Sequence, residues 1–276
     1  MLTDYHLHLR PDDAGAEAAQ YFTAANAERY RTVAEERGIA ELGCSEHVYR
    51  FAQALDVWRH PLWRESAVDD LDDYAAFVRE QTDLRLGIEA DFVAGSEDRM
   101  ATLLEGYEWD YVVGSVHFVG EHAVDHDGYE VYDHRSQRPD ELWRRYFVTL
   151  GEAARTGLFD ILAHPDLVKM WGSGRPVPEG DLRRFYELAM DGIAESGIAV
   201  EVSTAGLRKP VGELYPAPAF LEMCVEAGCP VALSSDAHVP GDVGRDYECA
   251  LDLLESVGVN ELAVFERRER RMEAIG

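Results

Sequence analysis

The chain alternates between short apolar segments and longer amphipathic segments along its whole length. The apolar segments are rich in β-branched residues and have the length of strands. We predict strands at 2–9, 39–45, 84–90, 111–116, 159–163, 198–202 and 230–234. The amphipathic segments predict helices at 16–37, 70–82, 97–106, 139–156, 179–196, 217–227 and 245–257, followed by a charged C-terminal helix. Strands that alternate with helices pair in parallel, with each helix as a crossover.

Two long segments, 48–67 and 118–137, show no clear hydrophobic period and are predicted as loops. No shift in composition divides the chain of 276 residues into parts. Seven repeats of strand and helix in a chain of this length favour a single domain, 1–276, in which the strands close into an α/β barrel.

Each predicted strand ends in a histidine or an acidic residue, or runs directly into one. The residues are His6, His8, Glu46, His47, Glu89, Asp91, His117, His164, Glu201, Asp236 and His238. Because the carboxyl ends of barrel strands meet at one mouth, we expect these side chains to converge there. Histidines with only structural roles would be scattered over helices and loops. We therefore predict a polynuclear metal site, with an acid–base cleft without metal as the alternative.

His6 and His8 are separated by one residue in a predicted strand, so their imidazoles point to the same face, about 6–7 Å apart at the root. One ion can bridge that span, although an isolated pair of this kind is equally compatible with two buried structural histidines. Nitrogen and oxygen ligands without thiolate suit zinc, manganese or iron. The ligands are too many for one ion, so we expect two or three divalent ions, with a carboxylate such as Glu89 bridging them.

The charge of the chain limits its partners. It has 26 basic and 53 acidic residues, which gives a net charge of −27. So acidic a surface repels nucleic acid and anionic membranes, and it would repel an anionic substrate unless bound cations reversed the field locally. No apolar run approaches the ~20 residues of a membrane span, and no signal-peptide pattern precedes Asp4, which predicts a cytoplasmic protein. The oligomeric state stays open.

Six short motifs resemble those of the PHP (polymerase and histidinol phosphatase) superfamily, and they occur in the order typical of that family. They are His6-Leu7-His8, Ser45-Glu46-His47, Gly87-Ile88-Glu89, Ser115-Val116-His117, Ala163-His164-Pro165-Asp166 and Ser235-Asp236-Ala237-His238. Each motif is weak alone, but together they are highly specific. The resemblance implies a distorted seven-stranded β/α barrel, the TIM-like PHP fold, with a trinuclear metal site at the C-terminal ends of the strands.

Two further segments, 164–169 and 201–210, are similar to the histidinol-phosphatase branch of that superfamily. That branch hydrolyses L-histidinol phosphate to L-histidinol and phosphate in histidine biosynthesis. The resemblance therefore implies a metal-dependent phosphomonoesterase with this small-molecule substrate. The alternative is a phosphoesterase of the same superfamily that acts on another small phosphate ester or nucleotide. A non-catalytic barrel is disfavoured because every motif position keeps a competent ligand.

The resemblance also implies which residues bind each ion. The implied ligands are His6, His8, Glu89 and Asp236 for the first ion, Glu89, His117 and His164 for the second, and His47 and His238 for the third. The third ion needs one more ligand, from the loop after His8. Many family members have a histidine in that loop, but here the loop contains Asp12 and Asp13. We favour Asp13 as the ligand, with Asp12 as the alternative.

The expected nucleophile is a water that bridges the ions and whose pKa is lowered toward ~7. The leaving alkoxide needs a proton, and Asp236 and His238 are the candidate acids. Metal ligation competes with that role, so Asp166, outside the ligand set, is a further candidate.

A phosphate also needs fixed cations beside it. The two lysines of the chain, Lys169 and Lys209, follow the fifth and sixth predicted strands, and Arg208 adjoins the second lysine. We expect at least one of the three to bind phosphate, and Arg208 is the first choice because a guanidinium forks onto phosphate. Solvated loop charge is the alternative for each. Glu201 would bind the substrate's ammonium group or sit inert in the barrel.

Overall fold

The computed structural model describes residues 1–13, 15–126 and 138–276. Within these residues the strands are β1 Leu2–Asp4, β2 Ile39–Cys44, β3 Arg85–Asp91, β4 Tyr111–Ser115, β5 Phe118–Val119, β6 His122–Ala123, β7 Ile161–Leu162, β8 Ala199–Ser203, β9 Val231–Ser234, β10 Glu261–Glu266 and β11 Glu269–Ala274. The helices are α1 Ala18–Tyr21, α2 Ala24–Glu36, α3 Pro61–Ser66, α4 Leu71–Gln81, α5 Glu97–Glu105, α6 Pro139–Arg155, α7 Arg183–Ser196, α8 Pro218–Glu226 and α9 Tyr247–Ser256. No helix in these ranges is long and apolar enough to cross a membrane.

Seven strands form one parallel sheet in the order β1-β2-β3-β4-β7-β8-β9. The sheet closes at its carboxyl end, where Leu7 and Ala237 form a parallel bridge and the backbone N–H of His8 donates to the Ala237 carbonyl at 2.8 Å. The closing contacts therefore lie beyond the ends of β1 and β9, within the segments that carry candidate ligands. The predicted distorted seven-stranded β/α barrel is confirmed.

A tyrosine fills the inside of the barrel below its mouth. A Cβ added at Gly43 or at Gly87 would lie 2.3 Å from the Tyr111 side chain, so only glycine fits at these two strand positions. The centroid of the Tyr5 ring lies 4.9 Å from that of Tyr111 and 6.1 Å from that of Phe265 in β10. These aromatic rings form a packed layer, the aromatic floor, beneath the carboxyl ends of the strands.

The C-terminal segment forms an antiparallel hairpin, β10–β11, so the prediction of a C-terminal helix is wrong. Arg267 and Arg268 make the turn with φ values of 51° and 63°, which suits a two-residue hairpin turn. The Arg268 Nε donates to Asp160 at 2.9 Å, and Asp110 accepts from the Arg267 backbone N–H at 3.2 Å. These contacts hold the hairpin against the amino end of the barrel, where Phe265 joins the aromatic floor.

The other differences from the predicted elements are local. β1 ends at Asp4, so the two following histidines lie beyond the strand and not within it. The predicted helix at 16–37 is divided at Thr23, whose hydroxyl caps α2 by accepting from the Asn26 backbone N–H at 3.2 Å. The predicted loop 48–67 contains two 3₁₀ turns and α3, and the loop 118–137 begins with the β5–β6 hairpin. Its residues 127–137, with His134, lie outside the described residues.

Candidate metal centre

Glu89 lies at the centre of a buried cluster at the carboxyl end of the barrel, on the same face of β3 as Gly87. Five imidazoles surround its carboxylate: His164 and His117 Nε2 at 3.1 and 3.3 Å from Oε1, His6 and His8 Nε2 at 3.4 and 3.6 Å from Oε2, and His47 Nδ1 in contact with Oε2. The strand ends converge as the sequence predicts, and a single carboxylate joins their histidines.

Asp236 faces the same imidazoles from the end of β9. Its Oδ1 lies 3.3 Å from His8 Nε2, 3.6 Å from His6 Nε2 and 3.6 Å from His238 Nδ1. The backbone of Asp236 has a φ of 51°, which is uncommon for a residue other than glycine. Arg208 donates to the carbonyl oxygens of Ser235 and Asp236 at 2.6 and 3.4 Å, and so supports this conformation.

His164, two residues past the end of β7, also has a positive φ, of 24°. Such conformations cost on the order of 1–3 kcal/mol and persist where the surroundings hold them. Here Glu201 Oε2 accepts a hydrogen bond from the His164 backbone N–H at 2.6 Å. Two residues at the centre of the cluster are therefore held in strained conformations, a feature that is typical of functional sites.

The donor atoms of the cluster fit divalent cations. Buried atoms without a hydrogen-bond partner among the described residues include His6 Nε2, His8 Nε2, Glu89 Oε2 and Asp236 Oδ1. Four groups have donor atoms that all lie within 4.8 Å of one another: His6-His8-Asp236, His6-Glu89-His164, His47-Glu89-His117 and His8-His47-His238. Leaving such atoms without partners is costly, and imidazole with carboxylate is a donor set that divalent metals accept. The residues present therefore could hold several ions.

The pKa shifts of three of these residues favour the forms that bind a metal. Burial disfavours charge on Glu89 and on Asp236, but the surrounding imidazoles outweigh it and hold the pKa of each carboxyl well below its usual range. Burial, together with the neighbouring His47 and His238, holds the pKa of His8 well below its usual value. Ionised carboxylates and a neutral imidazole are the forms that bind a metal.

Two buried carboxylates contact the ring nitrogens of His117 and His6 that face away from Glu89. Asp91 Oδ1 lies 2.8 Å from His117 Nδ1, and Glu201 Oε1 lies 2.8 Å from His6 Nδ1. A carboxylate on the far ring nitrogen fixes the tautomer of a metal-binding histidine. The expectation that Glu201 binds the substrate's ammonium group is not supported, because its buried carboxylate is hydrogen-bonded to His6, His164 and Ser234. The orienting role of Asp91 was not predicted, although its spacing of two from Glu89 places both on one face of β3.

The loop after His8 brings Asp12 to the cluster. Asp12 Oδ2 lies 2.9 Å from His238 Nε2, and its Oδ1 lies 3.8 Å from His47 Nε2. Asp13, the favoured residue, is exposed, and no contact of its carboxylate with these two histidines is found in the described part of the chain. The geometry favours the alternative, Asp12.

A cavity of about 780 Å³ opens onto the cluster. Its wall includes His47, His117, His164, Asp236 and His238. Lys209 also lines it, as does Tyr215, whose buried hydroxyl has no hydrogen-bond partner among the described residues. Of the histidines in the two long loops, His126 lines the cavity and His60 caps α3.

Two of the predicted phosphate-binding cations lie elsewhere. Lys169 is buried, and its Nζ contacts Asp166 at 2.9 Å, the Leu214 carbonyl at 2.8 Å and Glu213 at 3.3 Å. Arg208 supports the backbone at Asp236. Neither is among the described residues that line the cavity, so their predicted role is not supported. The ion pair with Lys169 also engages Asp166, which is fully buried and is not among the described residues that line the cavity, so its predicted role as an acid is not supported.

A comparison with protein families decides the relationship. The model of the PHP domain matches residues 20–205, about two thirds of the chain. The chain belongs to the PHP family. Similar sequences extend the match over more of the chain. The "Probable histidinol-phosphatase" of Deinococcus radiodurans is 34% identical over 252 residues, which cover 88% of this chain and 91% of the relative. The histidinol-phosphatase of Bacillus subtilis is 27% identical, over 63% of this chain and 70% of the relative.

A solved structure has the same fold. The histidinol phosphate phosphatase of Lactococcus lactis, crystallised with zinc, L-histidinol and phosphate, aligns over 98% of both chains with a TM-score of 0.69. Its sequence is 19% identical to this one, so the likeness concerns the fold.

Proposed function

We propose that this chain is a metal-dependent phosphomonoesterase that hydrolyses L-histidinol phosphate to L-histidinol and phosphate. The observation that carries the proposal is the buried cluster of histidines around Glu89 at the floor of a cavity of about 780 Å³. A cavity of this size suits a small molecule. The choice of histidinol phosphate is supported by the Deinococcus relative, which is similar over nearly its whole length.

The proposed ligand sets keep the residues that the family resemblance implies, with Asp12 in place of Asp13 because Asp12 Oδ2 lies 2.9 Å from His238 Nε2. We propose His6, His8, Glu89 and Asp236 for the first ion, Glu89, His117 and His164 for the second, and His47, His238 and Asp12 for the third. Zinc is the first choice, because the sets are rich in imidazole and the similar Lactococcus structure contains zinc. Manganese and iron accept the same ligands.

Bound divalent ions would neutralise the phosphate and acidify a water beside it, which is the chemistry that the protein side chains alone lack. The side chains then orient the ester. Lys209 offers an ammonium at the cavity wall, and the Tyr215 hydroxyl offers a neutral donor. Asp236 and His238 both line the cavity, and since Asp236 is ionised, His238 is the candidate proton donor for the leaving alkoxide.

The acidic surface is compatible with a small substrate and opposes a polymeric one. A net charge of −27 repels a nucleic-acid backbone along its length, whereas a single phosphate group needs to be attracted only at the metal cluster. The proposal therefore places substrate recognition entirely inside the cavity.

Phosphate release from a panel of esters tests the proposal. Zinc-loaded protein is assayed with L-histidinol phosphate, nucleoside monophosphates and sugar phosphates, and we expect the highest kcat/KM for histidinol phosphate. Preference for another ester would refute the substrate. Absence of hydrolysis by protein with measured, bound zinc would refute the catalytic proposal.

A pair of histidine variants provides the control. His6→Ala removes an imidazole beside Glu89, and we expect it to abolish turnover and lower the bound zinc. His122→Ala changes an exposed histidine on β6 that is not among the described cavity residues, and we expect wild-type turnover. Equal activity of the two variants would remove His6 from the centre.

A further inference from the structure

Arg50 is a buried arginine beside the metal centre, at the end of the 3₁₀ turn Val48–Arg50 that follows His47. Its side chain is 3% exposed. The guanidinium uses two nitrogens in two directions. Nη1 donates to the Arg10 carbonyl at 2.6 Å and pairs with Glu46, whereas Nη2 pairs with Asp12 Oδ1. A buried guanidinium needs such partners, so its position is tightly determined.

Glu46 extends this network to the backbone of the loop. Its Oε1 accepts hydrogen bonds from the backbone N–H of Leu9 at 2.7 Å and of Arg10 at 3.1 Å. Arg50 holds the Arg10 carbonyl of the same loop. The chain that leaves His8 is therefore held through its N–H groups by Glu46 and through a carbonyl by Arg50, before it reaches Asp12.

Asp12 itself has little burial to hold it, since its side chain is 58% exposed. Its two oxygens have separate partners. Oδ1 pairs with Arg50, and Oδ2 lies 2.9 Å from His238 Nε2. An exposed aspartate whose side chain rotates freely loses conformational entropy when it binds a metal. A charge pair that already holds the side chain in one rotamer reduces this entropic cost.

We propose that Arg50 is a positioning residue that fixes Asp12 as the carboxylate ligand of the third ion, beside His47 and His238. The inference rests on the proposed function only in requiring a metal centre. Partners of this kind typically change metal affinity by about 10–100-fold. Among the described residues, Arg50 makes no contact with Glu89, Asp236, His117 or His164, so its effect is expected at the third ion.

Zinc titration of metal-depleted protein, without substrate, tests the inference. Arg50→Lys keeps the cation for Glu46 but loses the second arm of the fork that reaches Asp12. We expect two zinc ions to bind with wild-type affinity and the third to bind about 10–100-fold more weakly. Asp12→Asn is expected to weaken the same ion, and Asp13→Asn is not.

Arg10→Lys is the matched control. Arg10 anchors the same loop through the Ala16 carbonyl at 2.8 Å and through Asp69, but its side chain does not contact Asp12 in the described structure. We expect its three zinc affinities to match the wild type. If Arg50→Lys does not fold, as measured by circular dichroism, the double variant Glu46→Gln/Arg50→Gln removes both buried charges together, and the same selective loss is expected.

Three results with the variants would overturn the inference: wild-type affinity for all three ions in the Arg50 variants, an equal loss for all three ions, or a third-ion loss in Asp13→Asn with none in Asp12→Asn. A wild-type chain that binds only two zinc ions would overturn it as well. Because no ester is present in the titration, these outcomes are independent of whether histidinol phosphate is the substrate.

Discussion

Replacing Glu201 by glutamine tests how this buried carboxylate supports the metal centre. The Glu201 carboxylate accepts hydrogen bonds from His6 Nδ1 at 2.8 Å, from the His164 backbone N–H at 2.6 Å and from the Ser234 hydroxyl. A glutamine has the same shape but one acceptor oxygen. If that oxygen faces His164, the amide NH₂ faces His6 Nδ1, and His6 must carry its proton on Nε2, the atom that lies 3.4 Å from Glu89. That nitrogen then has no lone pair for a metal.

The expected loss of metal affinity follows from these contacts. Loss of an orienting carboxylate typically lowers metal affinity by about 10–100-fold, or about 1.4–2.7 kcal/mol. In the opposite amide orientation the buried His164 N–H loses its acceptor, at a cost of about 1–3 kcal/mol, and its backbone conformation loses its support. Both orientations therefore weaken the centre by a similar amount.

The assay is a zinc titration against a chelating indicator, followed by initial rates with histidinol phosphate at limiting and at excess zinc. We expect Glu201→Gln to bind one ion about 10–100-fold more weakly and to recover part of its kcat in excess zinc. Ser234→Ala removes one donor and leaves the carboxylate, so it is expected to stay close to the wild type. Wild-type zinc affinity in Glu201→Gln would refute the reasoning.

Three further outcomes are expected. Tyr215→Phe lowers kcat/KM by about 10-fold and weakens inhibition by inorganic phosphate at unchanged zinc content, whereas Tyr146→Phe, which removes a buried hydroxyl of α6, changes neither. Lys169→Met leaves the buried Asp166 carboxylate without its cation, so urea unfolding is expected to show a loss of about 3–5 kcal/mol. Burial already raises the pKa of Asp166, and removal of the Lys169 ammonium raises it further. The loss of unfolding free energy in Lys169→Met is therefore expected to grow as pH rises toward this raised pKa of the folded variant. A loss of unfolding free energy that shrinks with rising pH would contradict the buried ion pair. Chelation of zinc lowers Tm, since each ion at 100-fold its Kd contributes about 2.7 kcal/mol, and an unchanged Tm would argue against a metal centre.

The barrel and the convergence of the histidines could be predicted because both follow from local sequence patterns. A short apolar run between helices indicates a parallel strand, and a residue at its carboxyl end lies at the barrel mouth whatever the loops do. Glu89, His117 and His164 were placed in this way, and the structure brings them together.

The direction of long side chains was not predictable in the same way. Lys169 follows a strand end, as a phosphate-binding residue would, but Asp166 lies three residues earlier and draws the ammonium into the protein. The choice between Asp12 and Asp13 depends on the path of a loop. That path is held by Arg50, 38 residues away from Asp12 in the sequence, a contact that no local pattern reveals.

The charged residues of the C-terminal hairpin are equally typical of a charged helix, so their composition does not reveal the hairpin. Its turn places Arg267 and Arg268 in the left-handed region, which costs roughly 1–2 kcal/mol per residue and is usually signalled by glycine or asparagine. The buried run Leu262–Phe265 has the β-branched and aromatic character of a strand, but it is too short to exclude a helix by its period alone.

The tyrosine beneath the mouth has a consequence for how this protein could be redesigned. Tyr111 occupies the space that side chains at Gly43 and Gly87 would need. The internal width of the barrel at this level therefore accommodates one phenol ring. Glu89 stands two residues above Gly87 on the same strand, and a wider or narrower barrel would move it relative to every histidine around it. Variants selected for another metal should therefore arise among the rim residues, while the two glycines and the tyrosine stay unchanged as a unit.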